Sequence, residues 1–115
     1  MTITRIKPGP RMSQCVVHGD TVYTAGQIAD DSSEDVAGQT RQVLAKIDGL
    51  LAEAGSNKSK ILKATIWLTD ISRFNEMNSV WDAWVDQDNP PVRACVESKL
   101  AMPELSVEIM VEAAK

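Results

Sequence analysis

Apolar and polar positions along this 115-residue chain recur with two different periods, and the switches between them mark its elements. Gln14-Cys15-Val16-Val17 and Thr21-Val22-Tyr23-Thr24-Ala25-Gly26 are rich in β-branched residues and flank His18-Gly19-Asp20, which predicts two strands joined by a turn. The polar stretch from Asp30 to Asp35 supplies hydroxyls and carboxylates suited to the free amides of a helix's first turn. Val36, Val43, Leu44, Ile47, Leu50, Leu51 and Ala54 then fall at helical spacing, with Gly55 placed to end the run in the left-handed conformation. From Lys60 to Thr69 the period becomes two, with Leu62, Ala64, Ile66 and Leu68 on one face and Lys63, Thr65, Trp67 and Thr69 on the other. Ser72 is the predicted cap of a second helix. Its stripe of Phe74, Met77, Trp81 and Trp84 or Val85 also carries Asn78, and Asp88-Asn89-Pro90-Pro91 breaks it. Residues 92–97 read as a strand. A last strand alternates Leu105, Val107, Ile109 and Val111 with Ser106, Glu108, Met110 and Glu112, giving one apolar and one acidic face.

The order strand, strand, helix, strand, helix, strand, strand predicts an α+β fold in which both helices cover one face of a single sheet. Trp67, flanked by Thr65 and Thr69 on the less apolar side of its strand, suits a second sheet face that meets other subunits rather than water. The length predicts one domain over residues 1–115. In so small a domain a large internal pocket would hollow out the core, so a pocket between subunits is the expected arrangement.

Charge and composition narrow the chemistry. Twelve Lys and Arg against 16 Asp and Glu give a net charge of -4 with no basic stripe, so nucleic acid is not an expected partner. No apolar run approaches the ~18 to 20 residues that cross a bilayer, and Met1-Thr2-Ile3-Thr4 has no charged segment leading into an apolar one, so a cytoplasmic protein without a membrane partner is expected. Cys15 and Cys95 then read as free, reduced thiols. His18 is the only histidine, and no Cys or His pair has metal-ligand spacing, which argues against a zinc site or a Ser-His-Asp triad within one chain.

Against this background Arg93 is the anomaly: a guanidinium inside an apolar strand. Its planar fork matches a carboxylate bidentately and could orient a small acid; equally, it could pair with Glu108 or Glu112 if the last two strands are neighbours. Glu108 reads either as a strand carboxylate in a salt bridge or as a group that positions water or passes a proton. Asn78 is either a satisfied buried amide or a group aimed into a pocket. Cys15 and Cys95 read as small apolar residues, His18 as a surface turn residue, and Gly26 as a turn or bulge that can also let backbone approach a ligand.

These residues fall into a recognisable pattern. From about Met12 to Ala113 the chain resembles the RidA (YjgF) family of reactive intermediate deaminases. The resemblance runs through Ser13-Gln14-Cys15-Val16-Val17, Val22 to Ile28 with its Ala25-Gly26-Gln27, Asp35 to Thr40, and Phe74-Asn75-Glu76-Met77-Asn78. It rests most on Pro91-Val92-Arg93-Ala94-Cys95-Val96-Glu97 and Val107-Glu108-Ile109. It implies a chorismate-mutase-like fold, one mixed sheet with two helices on one face, assembling as a homotrimer with pockets at the subunit interfaces. It implies that Arg93 binds a substrate carboxylate, that Gly26 and Asn78 contact the same ligand, and that the backbone at Cys95 together with Glu108 holds the attacking water, so that Glu108 and Cys95 are the catalytic positions. The implied reaction is hydrolysis of small 2-imino or 2-enamino acids to 2-keto acids and ammonia, with no metal or cofactor.

Two positions depart from the pattern. Met12 stands where the family has a pocket Tyr, and Ala25 where it has a Ser. Both changes remove hydroxyls, and they keep open a second reading, a trimer that binds a keto acid without turning anything over. Ribonuclease, a name attached to some members, is disfavoured by the acidic charge and the single histidine.

Overall fold

In the computed structural model, which describes residues 1–115, the chain runs β1 (Ile3–Pro8), β2 (Ser13–His18), β3 (Thr21–Thr24), α1 (Val36–Glu53), β4 (Ile61–Leu68), α2 (Phe74–Trp84), β5 (Val92–Glu97) and β6 (Val107–Ala114). The six strands form one sheet in the order β1-β2-β3-β6-β4-β5. Only β4 and β5 run parallel, so the sheet is mixed. That parallel pair is joined through α2, the crossover that a parallel connection requires.

The local chemistry of each element follows its sequence. Gly19, at φ +61°, makes the tight turn that lets His18 pair with Thr21. The Asp35 carboxylate accepts the Gly38 N–H at 2.8 Å and starts α1. Ser33 instead donates its hydroxyl to Asp31, so a carboxylate and not a hydroxyl caps this helix. Gly55, at φ +80°, stands just beyond the helix end, as its placement predicts.

Both helices lie on one sheet face. Val43, Leu44, Ile47 and Leu51 of α1 and Met77, Val80 and Trp81 of α2 close over Ala64, Ile66 and Leu68 of β4 and Val107, Ile109 and Val111 of β6. Each Leu or Ile so buried contributes about 1.5 to 3 kcal/mol of transfer free energy, and this shared core fixes the helices against the sheet. No helix is long and apolar enough to cross a membrane.

The structure corrects the sequence reading in four places. β1 is an additional strand; it lies at the sheet edge, mostly exposed on both faces, so its residues carry no burial pattern. Leu62 is 54% exposed and Ile61 takes the core position, because the step from Ile61 to Lys63 in β4 matches the single step from Ala113 to Glu112 in β6, a bulge that leaves Leu62 out of register. Ser72 does not cap α2. Its hydroxyl and amide both bond to Asp70, which caps a short 3-10 turn leading into the helix. Finally, β6 is not a neighbour of β5: β4 lies between them, and β6 also pairs with β3. The last strand is drawn to the centre because seven of its positions pair with β4, burying its apolar face completely.

Candidate functional site

Arg93 sits in β5, level with Ala64 of β4 and therefore on the helix-covered face. From there its guanidinium reaches α2. One terminal nitrogen donates to Asn78 Oδ1 at 2.7 Å, and the guanidinium carbon lies 5.2 Å from the Trp81 ring centre and 5.6 Å from that of Phe74. Phe74, Asn78 and Trp81 are spaced by four and three residues, so one stripe of α2 presents all three. The salt bridges of the chain, Lys7–Glu53, Lys46–Asp30 and Arg73–Glu76, leave Arg93 out. Pairing with Glu108 or Glu112, the other reading of the sequence, is thus absent: the charge is half-buried, held by neutral groups and uncompensated.

Cys95, two residues on, points to the same face beside Ile66 and packs at the edge of the core. Burial pushes its thiol pKa up, and the Arg93 charge offsets only part of that rise. The thiol is therefore protonated near neutral pH. β5 is an edge strand, so one row of its backbone amides and carbonyls is open beside these side chains.

Glu108 and Gly26 form a second constellation. Between the pairs Tyr23–Glu112 and Gln27–Ile109, three residues on one strand oppose two on the other. The Thr24 hydroxyl bridges this irregular stretch by accepting the Val111 N–H at 3.1 Å, which is why β3 stops at Thr24 instead of running to Gly26. The offset brings Gly26 against the Glu108 side chain; a Cβ on Gly26 would overlap the carboxylate and lie 2.8 Å from its carbon. Gln27 pairs in both directions with Ile109 at 2.8 and 3.1 Å and locks this approach. Gly26 also borders a cavity of about 510 Å³ lined by Met12, Gln14, Lys46 and Leu50 among others.

The two constellations lie on opposite faces. Glu108 is level with Trp67, and Trp67 and Ala64 point to opposite sides of β4, so Arg93 and Cys95 face the helices, with Asn78 of α2 above them, while Glu108 faces away. The structure thus brings Arg93 to Asn78 and Gly26 to Glu108, and does not bring the two pairs together within one chain. Neither the cavity at Gly26 nor a groove of about 370 Å³ between α1 and α2 borders Arg93. The sequence reading missed Phe74 and Trp81 as neighbours of Arg93. Their stripe was visible, but burial explained it fully, and only Asn78 on the same stripe hinted at a polar target.

Gln39 is a structural support that patterning could not reveal. Almost fully buried, it donates to the carbonyls of Ser32, Glu34 and Glu104 and accepts the Ser106 N–H at 2.8 Å, tying down the loop from which β6 and Glu108 emerge.

The arrangement has counterparts in known proteins. The endoribonuclease L-PSP family model matches residues 2–115. A RutC family protein of Haemophilus influenzae is 48% identical over 112 residues, spanning 96% of this chain and 97% of its own. The RutC family protein YoaB of Escherichia coli is 45% identical over 114 residues, 99% of each chain. The crystal structure of a YjgF family member from Neisseria meningitidis is 44% identical and superposes with a TM-score of 0.97, covering 100% of this chain and 96% of that one. Sequence and fold agree over essentially the whole length, and the chain belongs to the YjgF/RutC family described by the endoribonuclease L-PSP model.

Proposed function

We propose that the chain hydrolyses small 2-imino or 2-enamino acids to 2-keto acids and ammonia, in pockets between the subunits of a cytoplasmic homotrimer and without metal or cofactor. The observation that carries this reading is the Arg93 guanidinium, half-buried, fixed by Asn78 and two aromatic rings, and paired with no acid. Such a group favours an anionic ligand, and the fork of donors not used by Asn78 matches a carboxylate.

With the carboxylate held, the chemistry needs little more than water in position. The substrate nitrogen is protonated, which makes the imine carbon electrophilic; an enamine first takes a proton at carbon to become the iminium. Water adds to that carbon, giving up a proton to Glu108, and the C–O bond forms as the C=N π pair moves to nitrogen. Glu108 returns the proton to nitrogen, the C–N bond breaks with ammonia leaving, and loss of the hydroxyl proton gives the keto acid. The open backbone at Cys95 serves to hold the water, with Gly26 and Asn78 beside the ligand.

The inter-subunit pocket is supported by the opposed faces of Arg93 and Glu108, since a second copy supplies the missing half that one chain cannot. The face carrying Glu108 has no helix over it and exposes Tyr23, Val92 and Val96 beside half-buried Trp67 and Met110, an apolar surface suited to another subunit. The free thiols Cys15 and Cys95 suit a reducing compartment. Cleavage of RNA finds no support in the net charge of -4, nor in His18, which lies exposed on β2 with three strands between it and β5.

A second reading, keto-acid binding without turnover, draws on Met12, which borders the cavity at Gly26 and brings no hydroxyl to it. One experiment separates the two. Imino acids generated in situ by an amino-acid oxidase and trapped with semicarbazide should disappear faster with wild type than without protein, and at the background rate with Arg93→Ala. Wild type matching background for every imine tried, with tight keto-acid binding in the same sample, would establish the binding reading instead. A monomer by light scattering at micromolar concentration would remove the shared pocket.

A further inference from the structure

We propose that Phe74 and Trp81 are positioning residues that hold the Arg93 guanidinium by their ring faces and so leave its charge for the ligand. The inference rests on the reading of Arg93 as the carboxylate-binding group and adds how that group is kept both rigid and charged. A guanidinium on an edge strand needs partners, because its long side chain otherwise samples many rotamers. An acidic partner would fix it at a cost to function, since that carboxylate would compete with the ligand's for the same fork.

The structure uses neutral partners instead. Asn78 offers a carbonyl oxygen at 2.7 Å, and the two rings, 5.2 and 5.6 Å from the guanidinium carbon, attract the cation through their negative faces without neutralising it. On the two elements that carry the cluster, Glu76 pairs with Arg73, and Glu97 accepts the Ile71 N–H. Trp81 is itself braced. Its ring lies 5.4 Å from that of Trp84, tilted by 53°, and the Trp84 Nε1–H donates to Asp48 on α1 at 2.9 Å. A continuous series of contacts therefore runs from α1 through two indoles to the fork. Burial alone does not ask for this: Phe74 is only half-buried, and an aliphatic residue there would serve the core as well.

The test compares binding of pyruvate with binding of its neutral amide, pyruvamide, by titration calorimetry, alongside thermal unfolding of each variant. Wild type should prefer pyruvate. Trp81→Leu and Phe74→Leu should each weaken pyruvate binding about 3- to 30-fold and leave pyruvamide unchanged, while Trp81→Phe, which keeps a ring, retains the preference. Phe74→Leu carries the test if Trp81→Leu does not fold, since residue 74 is not in the deepest core. Leucine variants that lower the unfolding temperature but keep the wild-type pyruvate-to-pyruvamide ratio, while Arg93→Ala loses it, would overturn the positioning role alone. A preference that survives Arg93→Ala would overturn the carboxylate reading and the positioning role with it.

Discussion

The Glu108 carboxylate occupies the space in which a side chain at Gly26 would have to lie. The glycine is needed for this contact rather than for its turn: the positive-φ glycines are Gly19 and Gly55, and Gly26 is not among them. Gly26→Ala therefore meets a side-chain obstacle whose far end can swing away, and the fold should survive at a cost of about 1 to 3 kcal/mol. Displacing Glu108 should lower imine turnover while pyruvate still binds at Arg93. Because both substitutions act on one carboxylate, Gly26→Ala combined with Glu108→Gln should be no slower than Glu108→Gln alone. Additive losses in kcat for the pair would show that Gly26 acts independently of Glu108.

Acid stability should carry a signature of Asp86. Its carboxylate accepts from the Ser59 hydroxyl, the Asn89 side chain and the Asp88 N–H, which together hold its pKa below the ordinary value of 3.8. A depressed folded pKa means that the stabilisation is present above the unfolded value and is lost as pH falls through the folded one. Wild type should accordingly exceed Asp86→Asn in unfolding temperature at pH about 5 to 7, and the difference should shrink progressively as pH falls below the ordinary value of 3.8. A difference that stays constant across that range would assign the effect to shape instead of charge.

The fold was legible where burial imposes a period. α1, β4 and β6 each press one face into the core, so their apolar positions recur at 3.6 or 2, and Val107, Ile109 and Val111 are buried as the alternation predicts. β1 carries no such imprint, because an edge strand exposed on both faces is free in composition. Leu62 shows the limit within a well-marked strand: a bulge shifts register by one residue, and side-chain type alone does not reveal it. The site was legible as residues but not as a place. Arg93 stands out as a charge in an apolar strand and Glu108 lies on the acidic face of an alternating one, yet which residues each face meets depends on strand order, and the insertion of β4 between β5 and β6 is a long-range pairing that no local pattern encodes.

The Cys95 thiol should be dispensable. Burial raises its pKa and the nearby Arg93 lowers it only in part, so the thiolate is scarce at neutral pH and no base adjoins it. If the backbone at this position is what takes part, Cys95→Ala should keep imine turnover close to wild type and leave the pH–rate profile unchanged. Arg93→Ala, by removing the one charge that favours the thiolate, should move the alkylation of Cys95 by iodoacetamide to higher pH. Turnover at background in a folded Cys95→Ala variant would make the thiol itself essential.

The opposed faces of Arg93 and Glu108 give the sharpest expectation for the assembly. If each pocket takes Arg93 from one subunit and Glu108 from the next, Arg93→Ala and Glu108→Gln trimers are each inactive, but a subunit of one beside a subunit of the other can restore a complete pocket. In a ring of three, every mixed trimer contains a single junction of the productive kind, whichever variant is in excess. Random reassembly of equal amounts makes about three quarters of the trimers mixed, each with one working pocket in three, so about a quarter of wild-type turnover should return. The measurement is imine hydrolysis after the two variants are unfolded and refolded together, against each refolded alone. Recovery near this level requires a shared pocket, because two variants that each carry a defect in a self-contained site cannot repair one another. No recovery from mixtures shown to contain mixed trimers would place Arg93 and Glu108 in separate functions, and the shared pocket would have to be abandoned.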